Sequence, residues 1–306
     1  MMDKQINVFM RVSVFLFILL AYTSVSHGQN PVTLERVKKA TSPKKDNKHN
    51  STTPLRGAYS YHNQKKEKSS NTYKKTILHN QEIVIEGTLK NGTNKTIYIK
   101  EMSPESLIFL DSIRLDAKGH FIYRYAMPYK TFINVYVSDN DYIVLLPDMG
   151  EKIVLYGDYS SLATSYNIDS HGESRLLWKL QNFSNKGTKV LKNIVATDTK
   201  NRQLLANGDM SQEEYDHEHS VTDSIYIAAY AEQQQYVVHF IEDNLGSLTT
   251  IIALYKPFNN HPLIDPSNSF EFYEAVLEGL QKYLPDNPHT LHFTNVVERT
   301  RYQYAQ

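Results

Sequence analysis

The sequence predicts an α+β fold: an N-terminal antiparallel β-sandwich-like domain, then a helical domain led by a long helical hairpin. Three observations predict it. From Ile77 to Ile168, short apolar runs alternate with turn signals every ~8–12 residues, the spacing of an all-β sandwich or open barrel. After Gly172 the apolar period lengthens from two to between three and four residues. Before both lies a Lys-, Asn-, Ser- and Thr-rich stretch too poor in apolar residues to offset its ordering entropy. The resulting division is a signal peptide over 1–28, a basic disordered linker over 29–76, a β-domain over 77–171 and a helical domain over 172–306.

The first segment reads as a leader for export. Lys4 and Arg11 form a basic start, Val12–Tyr22 is apolar, and Ser26-His27-Gly28 puts small residues before a cut ahead of Gln29. Its apolar run is well short of the ~20 residues that span a bilayer, so removal is expected rather than anchoring. No other segment reads as a transmembrane helix.

In the β-domain, Glu82–Lys90 alternates apolar and polar residues, as does Lys95–Lys100. The Asn91-Gly92-Thr93-Asn94 cluster between them suggests a hairpin. Further strands are expected at 107–115, 120–126, 131–137, 142–146, 152–156 and 164–168. In the helical domain, Glu173–Ala206 is periodic, with Gly187 expected to interrupt it. Asn207-Gly208-Asp209 reads as a turn. Ser211 and Glu214 form the S-x-x-E capping box of a second helix running to Asn244 before Gly246. Its expected apolar stripe is Tyr215, Val221, Ile225, Ala228, Ala229, Tyr236, Phe240 and Ile241. Shorter helices are expected at 248–255, 270–283 and 290–302.

The charge balance is split along the chain. Residues 30–76 hold twelve Lys and Arg against Glu35, Asp46 and Glu67, while 77–306 carry nineteen basic and twenty-nine acidic groups. A basic tail before an acidic body suggests a spacer or a tether to an anionic envelope polymer or lipid. Nucleic acid does not suit an exported protein. There is no cysteine, which excludes disulfides, thiol catalysis and a lipid-bearing cysteine. Tyrosine is abundant, at 22 residues, and reads either as sheet packing or as an aromatic platform for a glycan.

Four features carry a family resemblance. They are Ile83-x-Ile85-x-Gly87-x-Leu89; Asp111-Ser112 ahead of Leu115-Asp116-x-x-Gly119-x-Phe121; Leu145-x-Pro147-Asp148-x-Gly150-Glu151-x-Ile153-x-Leu155-x-Gly157-Asp158; and Gly172-Glu173-Ser174 before a helix. In this order and spacing, Ile83–Trp178 resembles the DUF4369 family, a β-rich domain of exported Bacteroidetes proteins. The resemblance implies the fold, an envelope location and a partner-facing role. In that family the helical connector commonly leads into a thioredoxin-like domain. This chain reaches Gln306 without one, and without the CxxC such an enzyme works through, so redox activity does not carry over.

Candidate chemistry is thin. Glu213, Glu214 and His217 share helical spacing suited to zinc, but His219 points away from His217 and no HExxH is present. An acidic first turn of a helix explains the carboxylates. Asp111, Asp116, Asp148, Glu151, Asp158 and Asp169 sit at expected strand ends, where turn chemistry accounts for them. Ser112 and Ser170-His171 lack a nucleophile elbow or a placed acid. The Asn50, Asn91, Asn94 and Asn182 sequons read as turn and helix residues. No catalytic, cofactor-binding or metal residue is assigned, and no cofactor is expected. The expected function is that of a non-enzymatic exported protein of the periplasm or cell envelope that binds a protein partner or assists assembly. The alternatives are an accessory to, or remnant of, an envelope thioredoxin-like enzyme, and a glycan- or peptide-binding module.

Overall fold

The computed structural model describes residues 82–304. The expected signal peptide and basic linker lie outside the described residues. The fold is α+β: a two-sheet β-lobe followed by helices. The strands are β1 (Glu82–Lys90), β2 (Thr96–Met102), β3 (Leu107–Arg114), β4 (His120–Ala126), β5 (Phe132–Ser138), β6 (Asp141–Leu145), β7 (Lys152–Asp158) and β8 (Asn167–Asp169). They form one sheet in the order β4-β1-β7-β8 and a second in the order β3-β2-β5-β6. Alternation in β1 and β2 sends Ile83, Ile85, Leu89, Ile97 and Ile99 into the core between the sheets. β5 is buried on both faces: Ile133, Val135 and Val137 join that core, while Phe132 joins the helical one.

The expected hairpin between β1 and β2 is not formed, because the two strands belong to opposite sheets. The linking residues Asn91 and Asn94 take positive φ and carry the chain across the sandwich. The β3–β4 turn crosses back beside it. There Asp116 accepts hydrogen bonds from the backbone N–H groups of Lys118 and His120. Gly119 has φ +75° and sits so close to Leu89 that an added Cβ would lie 2.2 Å from the Leu89 carbonyl oxygen. Leu89 N donates to Gly119 O at 2.9 Å, tying the two crossings together. Period-two alternation is the same in a hairpin and in a crossing, so pattern alone does not separate them. The crossings also make one pair, β1 with β7, parallel; every other strand pair of the two sheets is antiparallel.

Residues 164–168, expected as a strand, divide into a helical turn α1 (Leu162–Ser165) and β8. The cause is Asp141, whose carboxylate accepts from the N–H groups of Leu162 and Ala163 and fixes a helical start. The helical hairpin is α2 (Glu173–Asn207) and α3 (Gln212–Asp243), 35 and 32 residues long. Gly187 does not interrupt α2. It is a close-packing position, where a Cβ would lie 2.8 Å from Gln233 and 3.0 Å from Phe258. Ser211 and Glu214 form the reciprocal capping box of α3.

The expected stripe of α3 is partly wrong. Val221, Ile225 and Ala228 are exposed, whereas Thr222 and Gln233 are buried beside Ala229, Val237 and Phe240. Gln233 fits there because its amide donates to the Phe183 carbonyl at 3.2 Å. After α3 come α4 (Thr249–Leu254), a tight pair β9 (Pro257–Phe258) and β10 (His261–Pro262), α5 (Phe270–Tyr283) and α6 (Pro288–Tyr304). Asn259 and Asn260, both at positive φ, make the β9–β10 turn.

Met102, Phe132 and Leu146 leave the β-lobe to join the core of Val237, Leu254, Phe272 and Val297. Polar links reinforce that junction. Leu146 N donates to Ser174 Oγ at 2.9 Å, Asn287 Nδ2 donates to Lys130 O at 2.8 Å, and Lys130 pairs with both Asp148 and Glu173. Among the described residues, no helix is long and apolar enough to cross a membrane.

Candidate functional site

The strand register places the outward side chains of the second sheet in cross-strand rows. Met102 lies opposite Phe132, under the helices. Next come Lys100, Asn134 and Val144, and then Tyr98, Tyr136 and Tyr142. Where helical cover gives way, a cavity of about 380 Å³ opens between this sheet, α2 and the segment after α4. That volume is at the lower end of the ~300–1,000 Å³ typical of small-ligand sites. The sheet contributes Asn134, Tyr142 and Val144. Helix α2 contributes Leu177, Leu180 and Gln181, and the α4–β9 segment contributes Ile252, Tyr255 and Lys256. The lining is mostly aliphatic, with a few amides and one cation.

Two of those polar groups stand out. Asn134 is 1% exposed. Its Nδ2 donates to Tyr136 Oη at 3.3 Å, but its Oδ1 has no hydrogen-bond partner. A buried acceptor left unpaired costs about 1–3 kcal/mol. Turning the amide over would only move the deficit to the nitrogen.

The second group is Lys256, partly buried, whose Nζ donates to Gln181 Oε1 at 2.7 Å. Gln181 Nε2 donates in turn to Asn185 Oδ1 at 3.0 Å, which fixes the amide's direction. No carboxylate among the described residues pairs with Lys256. Burial pushes its ammonium down to about 8. Burial also raises the phenols of Tyr142, Tyr166 and Tyr255, so they stay neutral at ordinary pH. The cavity wall thus carries positive charge and no negative charge.

The residues considered from the sequence lie elsewhere. Glu214 is the α3 cap, and His219 lies 3.7 Å from Asp223 with its ring tilted against Tyr215. No group of three metal-ligating side chains occurs among the described residues. Asp116 and Asp158 accept backbone N–H groups in turns, which holds both below the usual carboxylate range. Asp111 accepts from the Ser112 N–H. Ser170 donates to Glu151 at 2.6 Å rather than engaging its neighbour His171. Asp148 pairs with Lys130. These contacts are structural.

Two further buried polar groups had no sequence motif. Glu101, 4% exposed, accepts from Tyr125 Oη at 3.0 Å and Tyr129 Oη at 2.9 Å. The period-two run Ile97, Ile99, Glu101 signalled its inward direction. His289 lies 3.0 Å from Thr131 Oγ1 and edge-on to Phe132. Burial first, then the charge of His292, lowers it to about 4.

Comparison with family models, curated proteins and solved structures finds no match to this chain.

Proposed function

We propose that the chain is a non-enzymatic binding protein of the cell envelope and that the cavity beside Asn134 and Lys256 is where it binds. The observation that carries this reading is the unpaired amide oxygen of Asn134, a lining residue of a mostly aliphatic cavity. That oxygen is closed off in the free protein, and its cost is explained if a ligand donor completes it once the amide turns toward the cavity. Lys256 adds a second convergent polar group. Such a cavity, with few placed polar groups, is the ordinary form of a small-molecule site. The exported location rests on the leader-like residues 1–28, and the family placement rests on the resemblance over Ile83–Trp178.

The cavity reading sits closest to the binding-module alternative. A glycan platform is the weaker form of it. Lys100 lies 4.3 Å over the Tyr136 ring, and Tyr136 is buried and stacked on Tyr142, so Tyr98 is the one ring of the tyrosine row left exposed for stacking.

The chain's single tryptophan supplies the test. Trp178 Nε1 donates to the carbonyl of Tyr166, a cavity-lining residue, at 3.0 Å. A panel of acidic, basic and neutral small amphipathic molecules is titrated while Trp178 emission is followed. A saturable change with at least one class, lost in a double variant of Asn134→Leu and Lys256→Met, supports the reading. A flat response to every class, with no rise in melting temperature, refutes it.

A further inference from the structure

We infer that the cavity takes a small amphipathic carboxylate, its acid group on the Lys256 ammonium and its apolar body against Leu177, Leu180 and Ile252. The inference rests on the cavity being the ligand site, and it names the ligand's chemistry. It starts from the charge of the wall. Lys256 is the cation there, and the other titratable lining groups are the phenols of Tyr142, Tyr166 and Tyr255. None of these is anionic at neutral pH.

An ammonium has three N–H donors, and one is spent on Gln181. The two that remain match the two oxygens of a carboxylate. Withdrawn from water, such a charge-assisted contact is shorter and roughly twice as strong as a neutral one. Supplying the missing negative charge also relieves the cost of burying the ammonium. An amine ligand would meet like charge. An alcohol would leave the ammonium without a counter-charge. The aliphatic wall from α2 and the end of α4 then favours a hydrocarbon body over a fully polar anion such as phosphate.

The fall of Lys256 to about 8 gives the proposal a pH signature. The free protein loses the ammonium above that value, and the carboxylate loses its partner. Affinity should be flat from pH 6.5 to about 8 and then weaken toward tenfold per pH unit.

Octanoate, octanol and octylamine serve as probes, titrated calorimetrically into the full chain from pH 6.5 to 9.5. Octanoate should bind at least tenfold more tightly than octanol at pH 7, and octylamine weakest. Lys256→Met should cost octanoate at least tenfold and leave octanol unchanged or improved. Lys256→Arg, which keeps the charge, should retain a preference for the acid at pH 9.5, where the unaltered chain has lost most of it. Equal affinities for octanoate and octanol, or octanoate binding flat across the whole pH range, would overturn the inference. If none of the three binds while other amphipathic molecules move Trp178 emission, the carboxylate is wrong and the cavity reading stands. If no molecule of any class binds, both fall.

Discussion

Lys256 Nζ is held 2.7 Å from Gln181 Oε1, so an amide on α2, and no acid, positions the cation of the cavity. An uncompensated ammonium and an unpaired Asn134 oxygen are both costs in the free protein. Side chains kept at a cost to stability are expected where a protein binds something.

The first prediction concerns Lys256→Met. The folded-state value, about 8, lies below the ordinary 10.5. Between the two values the unfolded chain holds the extra proton, so stability rises with pH across that window. Below pH 8 the destabilisation is fully present. Methionine removes it and fits the aliphatic wall, at the loss of one hydrogen bond to Gln181. The variant should gain about 1–2 kcal/mol at pH 7. The gain should vanish near pH 10.5. Urea unfolding at several pH values measures both.

Asn134→Leu should show the same opposition of stability and binding. The substitution removes the orphan oxygen and its ~1–3 kcal/mol cost, and gives up the 3.3 Å bond to Tyr136. Unfolding free energy should stay level or rise. Ligand affinity should fall at least fivefold for molecules carrying a hydroxyl or N–H, as read by Trp178 titration.

His289 should make the fold acid-sensitive. Its value is lowered to about 4, against 6.5 when unfolded. Between those values the unfolded state binds the proton and the folded state does not, so stability is intact above pH 6.5 and lost as pH falls toward 4. The loss should reach up to about 3 kcal/mol. Thr131, Phe132 and Tyr129 pack against the ring, and His292 is the charge that adds to the shift. His289→Gln should flatten the melting-temperature profile between pH 6.5 and 4.

Glu101 joins the two sheets, since it lies on β2 and accepts from Tyr125 on β4. Glu101→Leu would strand the hydroxyls of Tyr125 and Tyr129. A loss of about 2–4 kcal/mol is expected, the sum of two hydrogen bonds to a charged acceptor less the gain in apolar burial. Chemical denaturation checks it. A loss below 0.5 kcal/mol would mean both hydroxyls reach water.

The strands, the long hairpin and the Ser211–Glu214 cap were legible because each is local: alternation, helical period and cap chemistry act within a few residues. Features set by distant partners were not. The crossings at Asn91 and Asp116 use the same turn residues a hairpin would. Gly187 looks like a helix breaker until Gln233 and Phe258 are packed on it. The Asp141 carboxylate that turns Leu162–Ser165 helical comes from 21 residues away. Asn134 and Lys256 carry no motif, and only the packing of α2 on the second sheet brings them to one cavity. A lone Asn in the apolar run Phe132–Val137 was the one sequence signal available for that site.

The central claim is that this cavity binds a ligand, and crystal soaks with the amphipathic panel test it most directly. Density for a bound molecule in the cavity, with a polar group on Lys256 or on Asn134, is the predicted result. A cavity holding only ordered water on Asn134 Oδ1 after every soak, with Lys256 still on Gln181 alone, would contradict it.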